Sequence, residues 1–496
     1  MSEFDLLIRN VKVVSATADP IVGDIAVKDG KIAAIESSIN AELAKHVVDG
    51  EGKLAFPGVI DAHQHWGIYN PIDQDIVSES RASAQGGVTT GINYTRTGQY
   101  YMNEGGSYAQ FMPKVLNACA GRSHIDYAFH VAPMSKQHID ELPMLTNEFG
   151  VTSFKIYMFY GGFGLHGASS SQREFLMLPE GENYDIAHFE FVMRGVQRLR
   201  EELPEFADEI SLGLHCETAE IMRAYTEIVQ EEGKLKGLEA YSAARPPHSE
   251  GLAITIASYL AHETRLPTIN LLHLTSAKAL EAAMLMKDAF PHVNFRREVT
   301  IGHLLASYNT AANFGGKVNP PLRSEADIEA LWHHVGEGNI DWIVSDHACC
   351  TEDEKFGKGD AHDDIFAARS GFGGAEYLLP GFVGEGLKRG VSEQRIAQLT
   401  SWNVARRFGL TDKGDLAVGY DADIALVDPT QTTVIRPEDS ESRQEYTPFD
   451  GFTLEALVTD TFVRGSHVLK NGAVVGGPTG RYVPRGPRAG EILAAQ

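Results

Sequence analysis

The chain has 496 residues, of which 43% are hydrophobic and 22% charged, and a formal net charge of -24. That composition suits a soluble globular protein with a large core and excludes fibrous and disordered classes, while the acidic balance argues against nucleic acid or an anionic membrane surface as a partner. The N-terminal residues lack the pattern of a secretory leader and no run of about 18 apolar residues occurs, so a cytoplasmic protein without a membrane span is expected.

Residues 6–14, 24–27 and 31–35 read as short strands, the last two joined by an Asp29-Gly30 turn suited to a hairpin. The run Pro57-Gly58-Val59-Ile60-Asp61-Ala62-His63-Gln64-His65 is apolar and strand-like, and its two histidines alternate, so they point to one side. Beyond it apolar runs alternate with helical stretches such as 190–202, 251–262 and 277–289. Such alternation over about 350 residues fits a closed (β/α)₈ barrel, with an open doubly wound sheet as the alternative. No dinucleotide or phosphate-loop motif supports the open sheet. Strand signals return at 422–427 and 457–463, followed by a hairpin across Asn471-Gly472.

The expected organisation is therefore an α/β chain with a TIM barrel over 57–411 and a small sheet domain assembled from 1–56 and 412–476. The remainder, 477–496, is rich in Gly, Pro and Arg and forms a tail that either reaches a neighbouring subunit or is loosely attached. Four cysteines, Cys119, Cys216, Cys349 and Cys350, are too few for a disulfide framework and are expected as free thiols.

Polar residues recur where barrel strands should end. Lys155 follows 151–154, His215 follows 211–214, His273 follows 269–272, and Asp346 follows 342–345. The C-terminal ends of barrel strands converge on one mouth, which would bring these four together with His63 and His65. Each has a plain alternative: a hydrogen-bonded core histidine, a helix-capping aspartate, a lysine whose head reaches solvent. Neutral imidazoles suit zinc and its neighbours. Lys155 lies in Phe154-Lys155-Ile156-Tyr157-Met158-Phe159, where an ammonium is costly to bury. Reaction with carbon dioxide would turn its amine into a carbamate able to bridge two cations. Two divalent ions would then be nearly balanced by the carbamate, Asp346 and a bridging hydroxide, with ions roughly 3.5 to 4 Å apart acidifying the shared water that serves as nucleophile.

With these residues in hand, the chain resembles the cyclic amidohydrolases of the amidohydrolase superfamily: dihydropyrimidinases, hydantoinases, dihydroorotases and allantoinases. The resemblance spans nearly the whole chain. It is carried by His63 and His65, by the stretch 80–90, by Phe154-Lys155, by His215-Cys216-Glu217 and by His273-Leu274-Thr275-Ser276-Ala277. Asn319-Pro320-Pro321-Leu322-Arg323, Ser345-Asp346-His347-Ala348 and Gly419-Tyr420-Asp421-Ala422-Asp423 extend it. It implies a TIM barrel with a β-sandwich built from both termini, and two metal ions per subunit, usually zinc. His63 and His65 would hold the more buried ion, His215 and His273 the other, carboxylated Lys155 would bridge, and Asp346 would ligate and shuttle the proton. A homotetramer acting on a small cyclic amide is the family's usual form.

Tyr160, five positions after Lys155, resembles the tyrosine that in hydantoinases and dihydropyrimidinases donates to the developing oxyanion. The arginine with which dihydroorotases grip a carboxylate is absent from His65-Trp66-Gly67-Ile68-Tyr69, and an apolar mouth with Trp66, Tyr69 and Phe159 would suit a neutral ring. A hydantoin or dihydropyrimidine ring is thus the first expectation. An allantoinase- or dihydroorotase-type enzyme is the second, and a non-catalytic dihydropyrimidinase-like assembly protein a remote third. Asn319 and Ser370 stand at expected substrate contacts where hydantoinases tend to have serine and asparagine, and Thr300-Ile301-Gly302-His303 replaces a more usual Pro-His pair. The run Gly161-Gly162-Phe163-Gly164-Leu165-His166-Gly167 reads as a lid. His347 and Cys349 either support Asp346 or pack a loop.

Overall fold

A computed structural model describes residues 2–161, 171–357 and 364–494. The proposed lid, apart from Gly161 at its edge, lies outside the described residues.

Eight parallel strands form one sheet in sequence order: β1 (Val59–Gln64), β2 (Val88–Thr95), β3 (Asp126–Val131), β4 (Ser153–Tyr157), β5 (Ser211–His215), β6 (Thr268–Leu271), β7 (Asn294–Thr300) and β8 (Trp342–Val344). Every residue of β1 to β5 is buried, as expected where helices cover one face and the barrel interior lies on the other. The ends of the sheet meet just past β8: Gln64 bridges His347 in parallel, and the His65 N–H donates to the His347 carbonyl at 2.8 Å. The chain is a (β/α)₈ barrel, and its closure lies beside two of the predicted histidines.

The three helices that periodicity placed occur there, with extra residues explained by their starts. Ile186–Glu202 begins where the Asp185 carboxylate accepts from the N–H groups of Ala187 and His188, and Pro247–Glu263 begins behind Pro246. Ala277–Ala289 starts under Ser276, which accepts from the Ala279 N–H.

Strands from both ends of the chain build the β-sandwich domain. Its nine-stranded sheet joins the two segments where Leu54–Pro57 pairs antiparallel with Ile424–Asp428. The hairpin turns at Asp29-Gly30 and Asn471-Gly472 both have positive φ at both central residues (51° and 76°; 49° and 78°), the geometry of a two-residue hairpin whose twist matches its strands. The excursion containing Thr433–Val434 and Thr453–Leu454 leaves this sheet and packs on the barrel. There Arg81 grips Glu441 and the Gly373 N–H donates to Gln444.

The tail docks on its own chain. A Cβ at Gly480 would sit 1.8 Å from the Ile125 carbonyl, so only glycine passes there. Beyond it the Arg485 side chain enters the barrel floor, donating to Ser153 Oγ at 2.8 Å and to the Phe129 carbonyl at 2.5 Å. Among the described residues no helix is long and apolar enough to cross a membrane, and all four cysteines are free and buried.

Candidate metal centre

Strand alternation builds the site from the floor upward. Ser153, Lys155 and Tyr157 share the inner face of β4: Ser153 meets Arg485 at the floor, Lys155 lies mid-barrel, and Tyr157 lines the mouth. Lys155 is therefore a mid-strand residue. Reading it as a strand end misplaced the strand, because its apolar neighbours Phe154 and Ile156 face the helices instead. One cavity is lined by His63, His65, Lys155, His215, His273 and Asp346, together with Tyr160, Asn319 and Ser370.

The donor atoms converge. His63 Nε2 lies 3.1 Å from Lys155 Nζ and 3.2 Å from Asp346 Oδ1, and His65 Nε2 lies 3.3 Å from the same oxygen. The His215 and His273 rings are 4.3 Å apart, and His273 is 5.2 Å from His63. His273 and Asp346 both have positive φ (35° and 56°), a conformation that costs a non-glycine residue about 1–3 kcal/mol and persists where the surroundings impose it.

Each histidine is oriented from behind. Glu298 on β7 takes the Nδ1 side of His63 at 2.7 Å and also accepts from Trp342 Nε1 and the His273 N–H. Tyr101 holds His65 Nδ1 at 2.8 Å, leaving Nε2 to face Asp346. His215 Nε2 meets Glu217 at 2.7 Å, and Arg245 fixes that carboxylate with two hydrogen bonds. Such partners set tautomer and ring direction at metal sites. None of these roles was read from the sequence. Glu217 stood in a quoted motif, and a carboxylate inside the buried strand of Glu298 was the one available signal.

Electrostatics point the same way. Burial holds His63, His215 and His273 well below the usual histidine range, in the neutral form that ligates metals. Burial also brings Lys155 down to about 7, leaving much of its amine unprotonated near neutral pH. For Asp346 burial pushes upward, but His63, His65 and Lys155 reverse it and hold the carboxyl below its ordinary value. Both ring nitrogens of His273 are buried without a hydrogen-bond partner among the described residues. Unmet polar atoms cost about 1–3 kcal/mol each, so this donor set fits a cation-binding role.

The remaining candidates divide. Tyr160 lines the cavity from the turn Met158–Gly161. The Tyr241 hydroxyl donates to Asn319 Oδ1 at 2.5 Å and lies 3.3 Å from Ser370 Oγ, tying together the two expected substrate contacts. His303 lies 2.7 Å from Thr300 Oγ1 and 3.1 Å from the Pro320 carbonyl, and so braces the Asn319 loop. Trp66 is not at the mouth; it is buried against Tyr127, while Tyr69 and Phe159 do line the cavity. His347 points away from Asp346, with Nε2 on Glu79 and Nδ1 accepting from the Gly374 and Ala375 N–H groups. Cys349 contacts Asn70 and Ser442 in loop packing.

A closed barrel whose mouth gathers four histidines, a lysine and an aspartate is the architecture of a metal-dependent hydrolase. The amidohydrolase family model matches residues 268–468. An allantoinase of Rubrobacter xylanophilus is 31% identical, with 97% of this chain and 98% of the relative covered. The dihydropyrimidinase of Brevibacillus agri superposes with a TM-score of 0.82 at 25% identity, covering 97% and 98% of the two chains. The L-hydantoinase of Arthrobacter aurescens gives 0.82 at 25% identity, covering 97% and 100%. The chain belongs to the amidohydrolase family, and within it is a metal-dependent cyclic amidohydrolase.

Proposed function

We propose that this enzyme opens a hydantoin-type ring, the five-membered cyclic ureide, with six-membered dihydropyrimidines as related substrates. The single observation that carries the reading is the convergence of six ligand-type side chains in a cavity otherwise lined by uncharged groups such as Tyr69, Phe159, Tyr160, Asn319 and Ser370. Among the described residues no arginine lines that cavity, which disfavours a carboxylate-bearing ring such as dihydroorotate. A specific observation keeps allantoin in view: a relative 31% identical in sequence is an allantoinase, and allantoin is itself a hydantoin ring with a ureido group at carbon 5.

His63, His65, His215, His273, Asp346 and Lys155, the last as its carbon dioxide adduct, would hold two divalent ions, zinc in the first instance. Such ions supply Lewis acidity toward the ring carbonyl and acidify water. The near-neutral amine of Lys155 is the form that reacts with carbon dioxide. Asp346 accepts a proton from the attacking water and returns it to the ring nitrogen as the C–N bond breaks and the C–O bond forms. Tyr160 donates to the carbonyl oxygen as it becomes negative. Asn319 and Ser370 hold the ring edge. The product is an N-carbamoyl amino acid or its homologue, with every atom of ring and water retained. A cytoplasmic homotetramer is the assembly this reading carries, by resemblance to the family.

The test is hydrolysis of dihydrouracil, hydantoin, 5-substituted hydantoins, succinimide, allantoin and dihydroorotate by zinc- and bicarbonate-loaded protein, with metal content measured on the same sample. Turnover of neutral rings is expected. Turnover of dihydroorotate alone would overturn the substrate class, and a protein that acquires no divalent metal would support the assembly-protein alternative.

A further inference from the structure

Arg96 follows β2 and is 1% exposed, yet it forms no ion pair among the described residues. Its guanidinium lies among three rings, with Cζ 4.9 Å from the centroid of Phe175, 5.3 Å from Tyr160 and 5.6 Å from Tyr101. Nη2 donates to the Tyr160 hydroxyl at 3.4 Å, Nη1 donates to the Thr97 carbonyl at 2.9 Å, and Nε is buried without a partner among the described residues. Gly98 (φ 112°) makes the space: a Cβ there would sit 2.7 Å from Arg96 Nη1. Burying a cation without an anion is expensive, and ring faces offset only part of that cost. A neutral side chain of similar length would fill the same pocket more cheaply.

We infer that Arg96 is a positioning residue for the ring-opening reaction, acting through Tyr160. Its fixed positive charge and its hydrogen bond are directed at the hydroxyl of Tyr160, a residue that lines the cavity. When negative charge develops on the carbonyl oxygen that Tyr160 contacts, the guanidinium gains an anionic neighbour it lacks in the resting site. The stabilisation belongs to the transition state rather than to substrate binding, because the neutral ring offers Arg96 no charge. Arg96 also packs on Tyr101, which holds His65, so an effect through the metal ligands has to be separated from one through Tyr160.

This inference rests on the proposed role of Tyr160, and a double-mutant cycle distinguishes the failure of each. Arg96→Met, Arg96→Lys, Tyr160→Phe and the Arg96→Met/Tyr160→Phe pair are assayed on hydantoin and allantoin, with melting temperature and bound metal measured for every variant. Arg96→Met is expected to lower kcat by about tenfold or more with KM changed by less than about threefold and metal content intact. Arg96→Lys, which keeps the charge, should recover most of the loss, and on the Tyr160→Phe background Arg96→Met should have little further effect. Equal losses in the Met and Lys variants, an undiminished Arg96→Met loss on the Tyr160→Phe background, or loss of metal in Arg96→Met would each overturn the inference. If Tyr160→Phe alone leaves kcat unchanged, the role of Tyr160 fails and the inference falls with it.

Discussion

The Glu298 carboxylate lies 2.7 Å from Nδ1 of His63, and this contact decides which nitrogen of that ring faces Lys155 and Asp346. A neutral imidazole has one N–H, and placing it on Glu298 leaves the Nε2 lone pair for a cation. Glu298→Gln can turn its amide donor toward Nδ1 and favour the other tautomer. Metal affinity is expected to fall by roughly 10–100-fold, read as zinc retained after graded chelator dialysis. Undiminished retention would assign Glu298 to packing alone.

Lys155→Ala removes the amine at the centre of the cluster. The variant should lose most of its bound metal and its activity, and acetate or propionate should restore part of both by supplying the carboxylate that the proposed carbamate would provide. Elemental analysis with and without the acids is the measurement. A variant with full metal content and turnover would rule out the bridge.

Tyr160→Phe keeps the ring contacts with Tyr157, Phe159 and Phe175 and deletes only the hydroxyl. If that hydroxyl is an oxyanion donor, kcat should drop by about 10²-fold or more at unchanged metal content. Unaltered steady-state kinetics would make it a packing residue.

Asp126, Asp421 and Asp423 come close enough to suggest a second metal site, but the Lys413 ammonium sits among them at 2.8, 3.0 and 2.6 Å. Two of these carboxylates come from the Gly419–Asp423 motif and the third from β3, so the cluster ties the sandwich domain to the barrel. Burial works against the Lys413 charge, but the three carboxylates reverse this and raise its pKa. Burial likewise opposes ionisation of Asp126 and Asp421, yet Lys413, joined by Arg464 at Asp126 and by Lys31 at Asp421, holds both below the ordinary range.

The signs follow by linkage: the lysine's contribution is complete below about pH 10 and is lost above it, and that of the two lowered aspartates is complete above about pH 4 and is lost below it. Lys413→Met leaves the buried Asp423 carboxylate without its cation, while Asp126 keeps Arg464 and Asp421 keeps Lys31, and should destabilise the fold by about 3–5 kcal/mol at pH 7. The deficit should shrink toward pH 4–5, because the stranded Asp423 carboxylate, which burial already pushes upward, then takes up a proton in the folded state. Thermal unfolding of both proteins across that range is the check, and a constant deficit would contradict the ionic account.

Much of this was legible in order along the chain. Strand and helix periods, paired hairpin turns and the residue types that bind metals are local signals. They located three of the helices, the barrel and all six ligand-type side chains. Lys155 shows the limit: an amine in an apolar run announced an unusual site, but whether it ended a strand or faced inward mid-strand depended on where pairing with β5 began.

What the amino-acid order determined by itself is the class of chemistry, since it specifies which side chains the alternating strands deliver to one end of a barrel. Only the tertiary structure decided how those groups are aimed. Glu298, Tyr101, Glu217 and Arg96 reach the site from different strands and loops, and a polar residue carries no local mark of the partner it will meet. Tyr101 turns back onto His65 through positive φ values at Tyr100 and Tyr101. Arg485 reaches the barrel floor from the last residues of the chain, where composition suggested a tail with nothing of its own chain to hold. Their placement depends on long-range packing, which brings distant segments together only when the whole barrel closes.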